Sequence, residues 1–332
     1  MLISVLAVII GLALLVFSAD KFVDGAVGVA RFCGMSTLLI GMVIVGFGTS
    51  APELVVSVFS AVDNAPELAL GNAYGSNIAN IALILGITAI ITPVLVKRDA
   101  LRFDMPVLVL VSLLSLFLLL DGNVSRMDAA ILLLAFAGIM TFSIVTELKK
   151  SHAVHDEEKD ENVKPVSIGK SIFLLVFGLV FLVLSSRALV WGACNIAKSL
   201  GVSDLLIGLT IVAVGTSLPE LASSIMAARK GEDDLAFGNI IGSNLFNTLA
   251  VVGLASVISP MKTFDEAVLY RDLPVMLALT VLLFVFGIPT KLSRKNAEGK
   301  RIGRINRLEG SAFLVVYIGY IVYLIVQALG LQ

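Results

Sequence analysis

Charge is the first thing that this sequence has little of. Only 15% of its 332 residues are charged, and the formal net charge is −1. Soluble domains carry about 25% charged residues, and a protein that binds nucleic acid needs a basic surface. The hydrophobic share of 58% and the mean hydropathy of +1.00 therefore indicate a chain surrounded by the lipid bilayer, with no nucleic-acid partner.

Histidine and cysteine are also scarce, with two of each. Both histidines, His152 and His155, lie in a polar segment, so no apolar segment contains a histidine that could act as a catalytic base. Cys33 and Cys194 match neither metal-ligand nor redox spacing, and we expect buried, inert thiols. These absences argue against an enzyme.

Long apolar segments are what the sequence has in abundance. A membrane-spanning helix needs roughly 20 mostly apolar residues, and ten segments meet that length. The sequence therefore predicts an all-α polytopic membrane protein with ten transmembrane helices. The ten predicted spans are residues 2–30, 37–62, 68–91, 104–120, 128–146, 168–200, 204–228, 235–258, 273–289 and 308–329.

Lysine and arginine are distributed unevenly between the two sides of these spans. Eighteen of the 24 lie in the loops that follow spans 1, 3, 5, 7 and 9. Because loops rich in lysine and arginine stay in the cytoplasm, these loops are predicted to be cytoplasmic and both termini to be outside. Lys21, with Asp20 and Asp24, lies within span 1, and Arg187 lies within span 6. For both we expect local charge pairing or snorkelling rather than a part in transport.

The strongest signal is an internal repeat with an offset of 167 residues. Leu38–Gly86 aligns without a gap with Leu205–Gly253, and 23 of the 49 positions are identical. The copies lie in two five-span halves, residues 1–148 and 168–332, joined by a predicted cytoplasmic linker at 149–167. Because five is odd, the second half enters the membrane from the opposite side, and the repeats are inverted. Inverted repeats with broken helices are typical of transporters whose binding site lies near the bilayer midplane.

Two short motifs recur in both copies, and the first reads G-T-S-x-P-E-L. Proline has no amide hydrogen and disrupts the helical turn before it. Pro52 is therefore predicted to free the carbonyl of Gly48, and Pro219 that of Gly215. In lipid a freed carbonyl must find a partner, and a bound cation is one such partner.

The first motif also places a carboxylate inside the membrane. Glu53 and Glu220 lie at bilayer depth, where an ionised side chain costs about 2.5–3.5 kcal/mol, and neither motif contains a lysine or arginine. Thr49 lies one helical turn before Glu53, on the same face, and Thr216 is the equivalent residue of the second copy. Two carboxylates with hydroxyl and carbonyl oxygens suit Ca²⁺, which takes 6–8 oxygen ligands, and the same oxygens can hold Na⁺.

The second motif adds a polar stripe. It reads G-N-x-x-G-S-N-x-x-N, and its amide and hydroxyl side chains recur every fourth residue on one helix face. These side chains suit a cation, although the stripe could instead join helices by hydrogen bonds, and a buried glutamate could do the same. The stripe consists of Asn72, Ser76 and Asn80 in the first copy and of Asn239, Ser243 and Asn247 in the second.

These motif copies resemble the α-repeats of the calcium/cation antiporter superfamily, and the whole chain is most similar to its bacterial inner-membrane calcium/sodium antiporter branch, the sodium/calcium exchanger branch. The resemblance implies an antiporter that exchanges Ca²⁺ for Na⁺ across the cytoplasmic membrane by alternating access and exports Ca²⁺. It implies no permanently bound cofactor, and spans 1 and 6 that slide across the other eight. The implied roles are central Ca²⁺ ligands for Glu53 and Glu220, backbone oxygens for Thr49 and Thr216, flanking Na⁺ positions for Ser50, Ser217, Ser76 and Ser243, and the middle of the site for Asn80 and Asn247.

Two departures from that superfamily bear on the coupling ion. Potassium-dependent relatives carry an aspartate at the position of Asn247, so K⁺ dependence is not expected here. Proton-coupled relatives carry a glutamate at the position of Gly75 or Gly242, and its absence favours Na⁺ over H⁺. A Ca²⁺/H⁺ antiporter and a cation channel remain the alternative functions, and the sequence does not indicate an oligomeric state.

Overall fold

Helices account for nearly all of the described chain in this computed structural model. Eight of the described helices are long and apolar enough to cross a membrane, and a bent pair of helices forms a ninth span. The expected all-helical membrane fold is confirmed. The seventh predicted span, 204–228, lies partly outside the described part of the chain. The structure describes residues 1–155, 167–201, 211, 213–289 and 302–329.

The described elements follow the predicted order of spans. The bent pair is α2 and α3, whose axes differ by 47°, and α8 and α9 are the equivalent elements of the second half. The helices are α1 (Leu2–Cys33), α2 (Thr37–Thr49), α3 (Ala51–Val62), α4 (Pro66–Ile91), α5 (Ala100–Leu119), α6 (Arg126–His155), α7 (Ile168–Ser199), α8 (Ala213–Thr216), α9 (Leu218–Arg229), α10 (Asp233–Ile258), α11 (Val268–Gly287) and α12 (Arg307–Ala328), and the strands are β1 (Val94–Val96) and β2 (Gly303–Ile305).

Prolines and a capping residue explain where several of these helices begin. Pro52, Pro66 and Pro219 each lie in the first turn of a helix, where the missing amide hydrogen leaves no helical bond unmade. α12 begins with a capping box. The Asn306 side chain accepts the backbone N–H of Glu309, and the Glu309 carboxylate accepts the backbone N–H of Asn306, so two donors of the first turn are satisfied.

Large apolar side chains cover the outside of the helices, which is the reverse of a soluble protein. Leu134 on α6 is 73% exposed and Val315 on α12 is 67% exposed. These two helices are the most peripheral of the long ones, whereas α4 and α10 are the most enclosed. Exposed apolar surface of this extent requires lipid, so the outer helices face the bilayer. The core of the protein lies around the enclosed helices α4 and α10.

The packing repeats itself with the two halves exchanged. The second half of α4 packs against α12, and the second half of α10 packs against α6. After α4, β1 pairs antiparallel with β2, which precedes α12. In the same way Met261, after α10, forms an antiparallel bridge with Val124, which precedes α6. These strands are an addition to the predicted all-helical fold, because three residues are too few to leave a periodic pattern in the sequence.

The 32-residue helices α1 and α7 pack against each other along their length. Glycines allow the close approach of the two backbones. A methyl group placed on Gly178 would lie 2.5 Å from the backbone nitrogen of Phe22, so only glycine fits at this crossing. Gly11, the equivalent of Gly178 by the repeat offset, lies against α7. These two helices, called the α1–α7 pair below, form one packed unit.

One expectation from the sequence is corrected by the structure, and another is given more detail. Cys33 is exposed rather than buried, because it lies in the last turn of α1 beyond the crossing with α7, and Cys194 is half-buried; both are free thiols. α6 continues to His155, so the first part of the predicted linker at 149–167 is helical. That stretch of α6 contains no proline or glycine to stop the helix, and residues 156–166 lie outside the described part of the chain.

Candidate functional site

Both copies of the first motif lie where a membrane helix is interrupted. Ser50 separates α2 from α3, and Ser217 separates α8 from α9. The two serines have nearly the same backbone conformation, with φ −87° and ψ 6° at Ser50 and φ −90° and ψ 7° at Ser217. Pro52 and Pro219 follow in the first turn of the next helix. The same local sequence therefore produces the same helix break in each repeat.

The carbonyl groups before these prolines have protein partners in this conformation. The Gly215 carbonyl accepts a hydrogen bond from the hydroxyl of Ser186 on α7 at 3.0 Å. The Gly48 carbonyl accepts a backbone N–H at the C-terminal end of α2. Ser186 therefore connects the α1–α7 pair directly to the second helix break.

Glu53 and Glu220 are enclosed between the two breaks and are 1% and 2% exposed. The hydroxyl of Ser50 donates a hydrogen bond to Oε1 of Glu220 at 3.0 Å, which links the two repeats. The Oε2 atom of each glutamate is buried and has no hydrogen-bond partner in the described part of the chain. Among the described residues, no lysine or arginine forms an ion pair with either carboxylate. Buried carboxylate oxygens without partners are costly, and such atoms suit a positively charged ligand.

Thr49 connects the first motif of one repeat to the second motif of the other. Its buried hydroxyl lies 3.0 Å from the carbonyl of Val45 and 3.1 Å from Oδ1 of Asn239. Thr216, at the equivalent place before Ser217, is half-buried. The Thr49 contact therefore adds a second link between the repeats, close to the one that Ser50 makes.

Each second motif also supports the glutamate helix of its own repeat. Asn72 Nδ2 donates to the carbonyl of Glu53 at 3.1 Å and to the hydroxyl of Ser57 at 3.0 Å. Asn239 makes the equivalent bonds, to the carbonyl of the second glutamate at 3.4 Å and to the serine four residues after it at 2.9 Å. Because the same bonds form twice, the backbone beside both glutamates is held in the same way.

The second motifs lead into stretches of π-helix. These run from Ala79 to Leu85 in α4 and from Phe246 to Val251 in α10, and they begin at equivalent residues. A π-helical turn is a wider turn that occurs frequently at functional sites. Asn80 and Asn247 are the second residues of these stretches, and both side chains are buried.

Asparagine amides meet across the repeats at this level. Asn80 Nδ2 donates to Oδ1 of Asn244 at 3.0 Å, and Asn77 Nδ2 donates to the hydroxyl of Thr248 at 2.7 Å. Both amide atoms of Asn247 are buried and have no hydrogen-bond partner among the residues that the structure describes. Asn77 and Asn244 are not among the predicted site residues, although their identity in both motif copies is a signal that could have found them.

The remaining predicted residues are placed as follows. The Ser243 hydroxyl donates to the carbonyl of Gly46 at 3.4 Å, and Ser76 is buried at the equivalent place on α4. The Ser217 hydroxyl is buried, and no described residue forms a hydrogen bond with it. Nine of the ten predicted ion-binding residues are buried, and Thr216 is half-buried.

A cavity of about 270 Å³ reaches both helix breaks. Its wall contains Pro52 from the first break and Gly215 and Pro219 from the second, with Arg187 and Trp191 of α7 on another side. Neither glutamate is part of the wall. The carboxylates are therefore enclosed, with the cavity ending at the residues that adjoin them.

Comparison with known proteins identifies the family. The profile of the sodium/calcium exchanger protein family matches residues 3–145 and 170–326. The chain belongs to the sodium/calcium exchanger family. This family consists of antiporters and not enzymes, so the predicted superfamily and the non-enzymatic function are both confirmed.

Relatives of the same length support this assignment. The putative antiporter CaxA of Alkalimonas amylolytica is 43% identical over 96% of this chain and 98% of its own. The sodium/calcium exchanger MaX1 of Methanosarcina acetivorans is 29% identical over 97% of this chain and 98% of its own. The solved structure of the sodium-calcium exchanger NCX_Mj, soaked without Na⁺ and Ca²⁺, matches with a TM-score of 0.81 at 30% identity, covering 97% of this chain and 99% of its own. The exchanger fold therefore extends over the whole described chain.

Proposed function

We propose that this chain is a Ca²⁺/Na⁺ antiporter of the cytoplasmic membrane that uses the entry of Na⁺ to export Ca²⁺. The observation that carries this proposal is the pair of buried glutamates, one from each repeat, whose Oε2 atoms have no partner. When both are ionised they bring two negative charges, which one Ca²⁺ neutralises. Na⁺ ions in the same volume can replace it.

The enclosed position of these charges explains exchange without leak. With the site empty, two like charges remain unpaired in surroundings of low dielectric, where their repulsion is strongest. A conformation that encloses the empty site is therefore disfavoured. Bound Ca²⁺ or Na⁺ removes this cost, so the protein passes between its two open states when a cation is bound.

The other oxygens of the site complete the coordination of the cargo. A Ca²⁺ ion takes 6–8 oxygen ligands, and two carboxylates supply at most four. The unpartnered Ser217 hydroxyl and the Asn247 amide supply further oxygens. The proposed ligands are Glu53 and Glu220 for Ca²⁺, Thr49, Thr216, Asn80 and Asn247 around it, and Ser50, Ser217, Ser76 and Ser243 at flanking Na⁺ positions.

Two observations favour Na⁺ over H⁺ as the coupling ion. Gly75 and Gly242 stand where a glutamate would add a carboxylate to each second motif, so these motifs contain none. The full-length relatives MaX1 and NCX_Mj carry the name sodium/calcium exchanger. A Ca²⁺/H⁺ antiporter is the alternative, and it differs in needing no Na⁺.

The excess of lysine and arginine in alternate loops gives the orientation. With these loops in the cytoplasm, both termini are outside and α7 runs from the inside outwards. Arg187 and Trp191 then lie in the outer half of α7, and the cavity at the helix breaks opens towards the outside.

Uptake of ⁴⁵Ca²⁺ into proteoliposomes tests the proposal. Vesicles loaded with Na⁺ are compared with vesicles loaded with K⁺ or choline, and with the variants Glu53→Gln and Glu220→Gln. We expect uptake only with internal Na⁺, and none in either variant. Glu67→Gln, the same change at an exposed glutamate of α4, is the matched control and is expected to transport normally.

Two results would contradict the proposal. Uptake that ignores internal Na⁺ but dissipates a pH gradient would assign the chain as a proton antiporter. Normal uptake in both glutamine variants would mean that the glutamates only hold helices together.

A further inference from the structure

Charged side chains of α1 bind the turn that follows α9. Lys230 Nζ lies 2.7 Å from Oδ1 of Asp20 and 2.6 Å from Oδ1 of Asp24, and it donates to the Asp20 carbonyl at 2.9 Å. Lys21 pairs with the same two carboxylates, as expected from the sequence, but it lies on α1 itself. Lys230 therefore joins α1 to the end of α9, and Arg31 at the end of α1 forms a longer ion pair with Glu232 in the same turn, at 3.6 Å.

The repeat offset makes Asp63 the equivalent of Lys230, and the structure supports this alignment. Asp63 is the C-cap of α3 and Lys230 is the C-cap of α9. Each precedes a residue with left-handed backbone, Asn64 with φ 59° and Gly231 with φ 76°. The two residues therefore end equivalent helices in equivalent turns, with opposite charges.

The same offset makes Arg187 on α7 the equivalent of Asp20 on α1. Here too the charge is reversed. An acid on α1 faces a base after α9, so the inverted image of this contact is a base on α7 facing an acid after α3. Arg187 with Asp63 is thus the image of Asp20 with Lys230, at the opposite end of the α1–α7 pair.

The image contact is not formed in this conformation. Within the described part of the chain, neither Arg187 nor Asp63 belongs to an ion pair, and both are exposed. The cavity at the helix breaks has Arg187 in one wall and Val56 of α3 in another. Among the described residues, the Lys230 contact is formed and its image is not.

The buried site shows the same asymmetry between the repeats. The hydroxyl of Ser50 donates to the glutamate of the other repeat, whereas the hydroxyl of its equivalent, Ser217, has no partner among the described residues. Asn80 donates to Asn244, whereas the amide of Asn247 has no partner. In an inverted-repeat transporter the two halves exchange roles between the two open states, so each unmade contact is expected to form in the opposite state.

We propose that five charged residues outside the ion site act as two alternating latches of the transport cycle. The first latch is Lys230 with Asp20 and Asp24, and it holds the α1–α7 pair in the conformation described here. The second latch is Arg187 with Asp63, and it holds the pair in the opposite conformation. Because one latch forms as the other opens, the two open states remain close in free energy. The inference rests on the proposed function only in that the chain alternates between two states.

Disulfide cross-links test the latches directly, in a chain whose two native cysteines are replaced by serine. The pair Asp24→Cys with Lys230→Cys is expected to cross-link readily in the resting protein. The pair Asp63→Cys with Arg187→Cys is expected to cross-link slowly, since it must wait for the opposite conformation. Each cross-link is expected to stop Ca²⁺ uptake into proteoliposomes, and a reducing agent is expected to restore it.

A cross-link within the rest of the protein is the matched control. Leu95 and Arg304 lie directly opposite each other across β1 and β2. The pair Leu95→Cys with Arg304→Cys joins two elements that do not move relative to each other in this scheme. Its cross-link is expected to leave uptake unchanged, so a loss of uptake there would overturn the division into a moving pair and a fixed remainder.

Neutralising the first latch supplies a second readout. Lys230→Gln is expected to speed the Asp63–Arg187 cross-link about fivefold, the effect of a strong but partly exposed ion pair. Lys21→Gln removes a lysine from the same two carboxylates but breaks no contact between the units, so that rate is expected to stay unchanged. An unchanged rate in Lys230→Gln, or an Asp63–Arg187 pair that never cross-links, would overturn the proposal.

These rates do not depend on which ion is carried. If uptake ignores Na⁺ while the cross-links behave as stated, the proposed coupling ion fails and the latches stand. If uptake follows Na⁺ while Lys230→Gln changes nothing, the antiporter stands and the latches fail.

Discussion

Ser50 in the first repeat and Ser217 in the second occupy the same place in the same motif, yet among the described residues only the Ser50 hydroxyl has a hydrogen-bond partner. Asn80 and Asn247 differ in the same way. Since the side chains are identical, the difference comes from how the two repeats are arranged around the site. An inverted repeat thus provides two versions of each contact, and a single conformation forms one of them.

The largest effect is expected from removing the carboxylate that both motif copies share. Glu53→Gln and Glu220→Gln each halve the negative charge of the enclosed site. Because an unbalanced charge at a buried ion pair costs about 3–5 kcal/mol, we expect each variant to weaken Ca²⁺ binding about 100-fold or more. Isothermal titration of the purified protein measures this. A strong loss in one variant with little loss in the other would show that the two copies are not functionally equivalent.

Acid is expected to act on both copies together. Protonation neutralises a carboxylate and removes the charge that attracts Ca²⁺, so uptake should fall as the pH falls and recover on return to neutral pH. Because enclosure away from water disfavours the charged form of a carboxylate, we expect the decrease to fall between about pH 8 and about pH 5.5. Initial rates of ⁴⁵Ca²⁺ uptake, at constant Na⁺, provide the profile. A flat profile over this range would contradict an ion site built on these two glutamates.

The asparagines that support the glutamate helices allow a finer comparison. Asn239 bonds to the second glutamate's backbone and to Thr49 of the other repeat, whereas Asn72 bonds to Glu53 and Ser57 of its own repeat. We expect Asn239→Ala to lower stability by about 2 kcal/mol and Asn72→Ala by about 1 kcal/mol. Thermal unfolding in detergent measures the difference. Equal losses would show that the additional contacts of Asn239, with Thr49 and with Ser223, contribute nothing.

The smallest expected effect compares the two serines at the helix breaks. Ser50→Ala removes a hydrogen bond to Glu220, whereas Ser217→Ala removes a hydroxyl without a partner. In the ion-free protein we expect a loss of about 1 kcal/mol for Ser50→Ala and less than about 0.5 kcal/mol for Ser217→Ala. The same unfolding measurement tests it. A larger loss for Ser217→Ala would mean that the resting conformation is the opposite one.

The parts of this fold that could be predicted from the sequence are those that short segments determine by themselves. Apolar runs of about 20 residues predict spans because the bilayer thickness sets their length. Pro52 and Pro219 predict the helix breaks because proline lacks an amide hydrogen. The repeat predicts the inverted halves, which the exchanger fold confirms. That the glutamates and their neighbours bind the ions stays a prediction.

The features that could not be predicted depend on residues that are far apart in the sequence. The pairing of Lys230 with Asp20 spans 210 positions, and no local pattern connects the two. The contact between Asn80 and Asn244 also joins the two halves, and Asn80 belongs to the π-helical stretch that begins at Ala79. Such contacts follow from how the helices pack, which the sequence pattern does not specify.

Competition between Na⁺ and Ca²⁺ for the purified protein tests the central claim most directly. Equilibrium binding of ⁴⁵Ca²⁺ is measured while Na⁺ is raised, with K⁺ raised equally in a parallel series at the same ionic strength. If both ions use the oxygens around Glu53 and Glu220, Na⁺ displaces Ca²⁺ steeply, with more than one Na⁺ per Ca²⁺, and K⁺ leaves it bound. Equal displacement by Na⁺ and K⁺, or none by either, would contradict a shared site for the two ions.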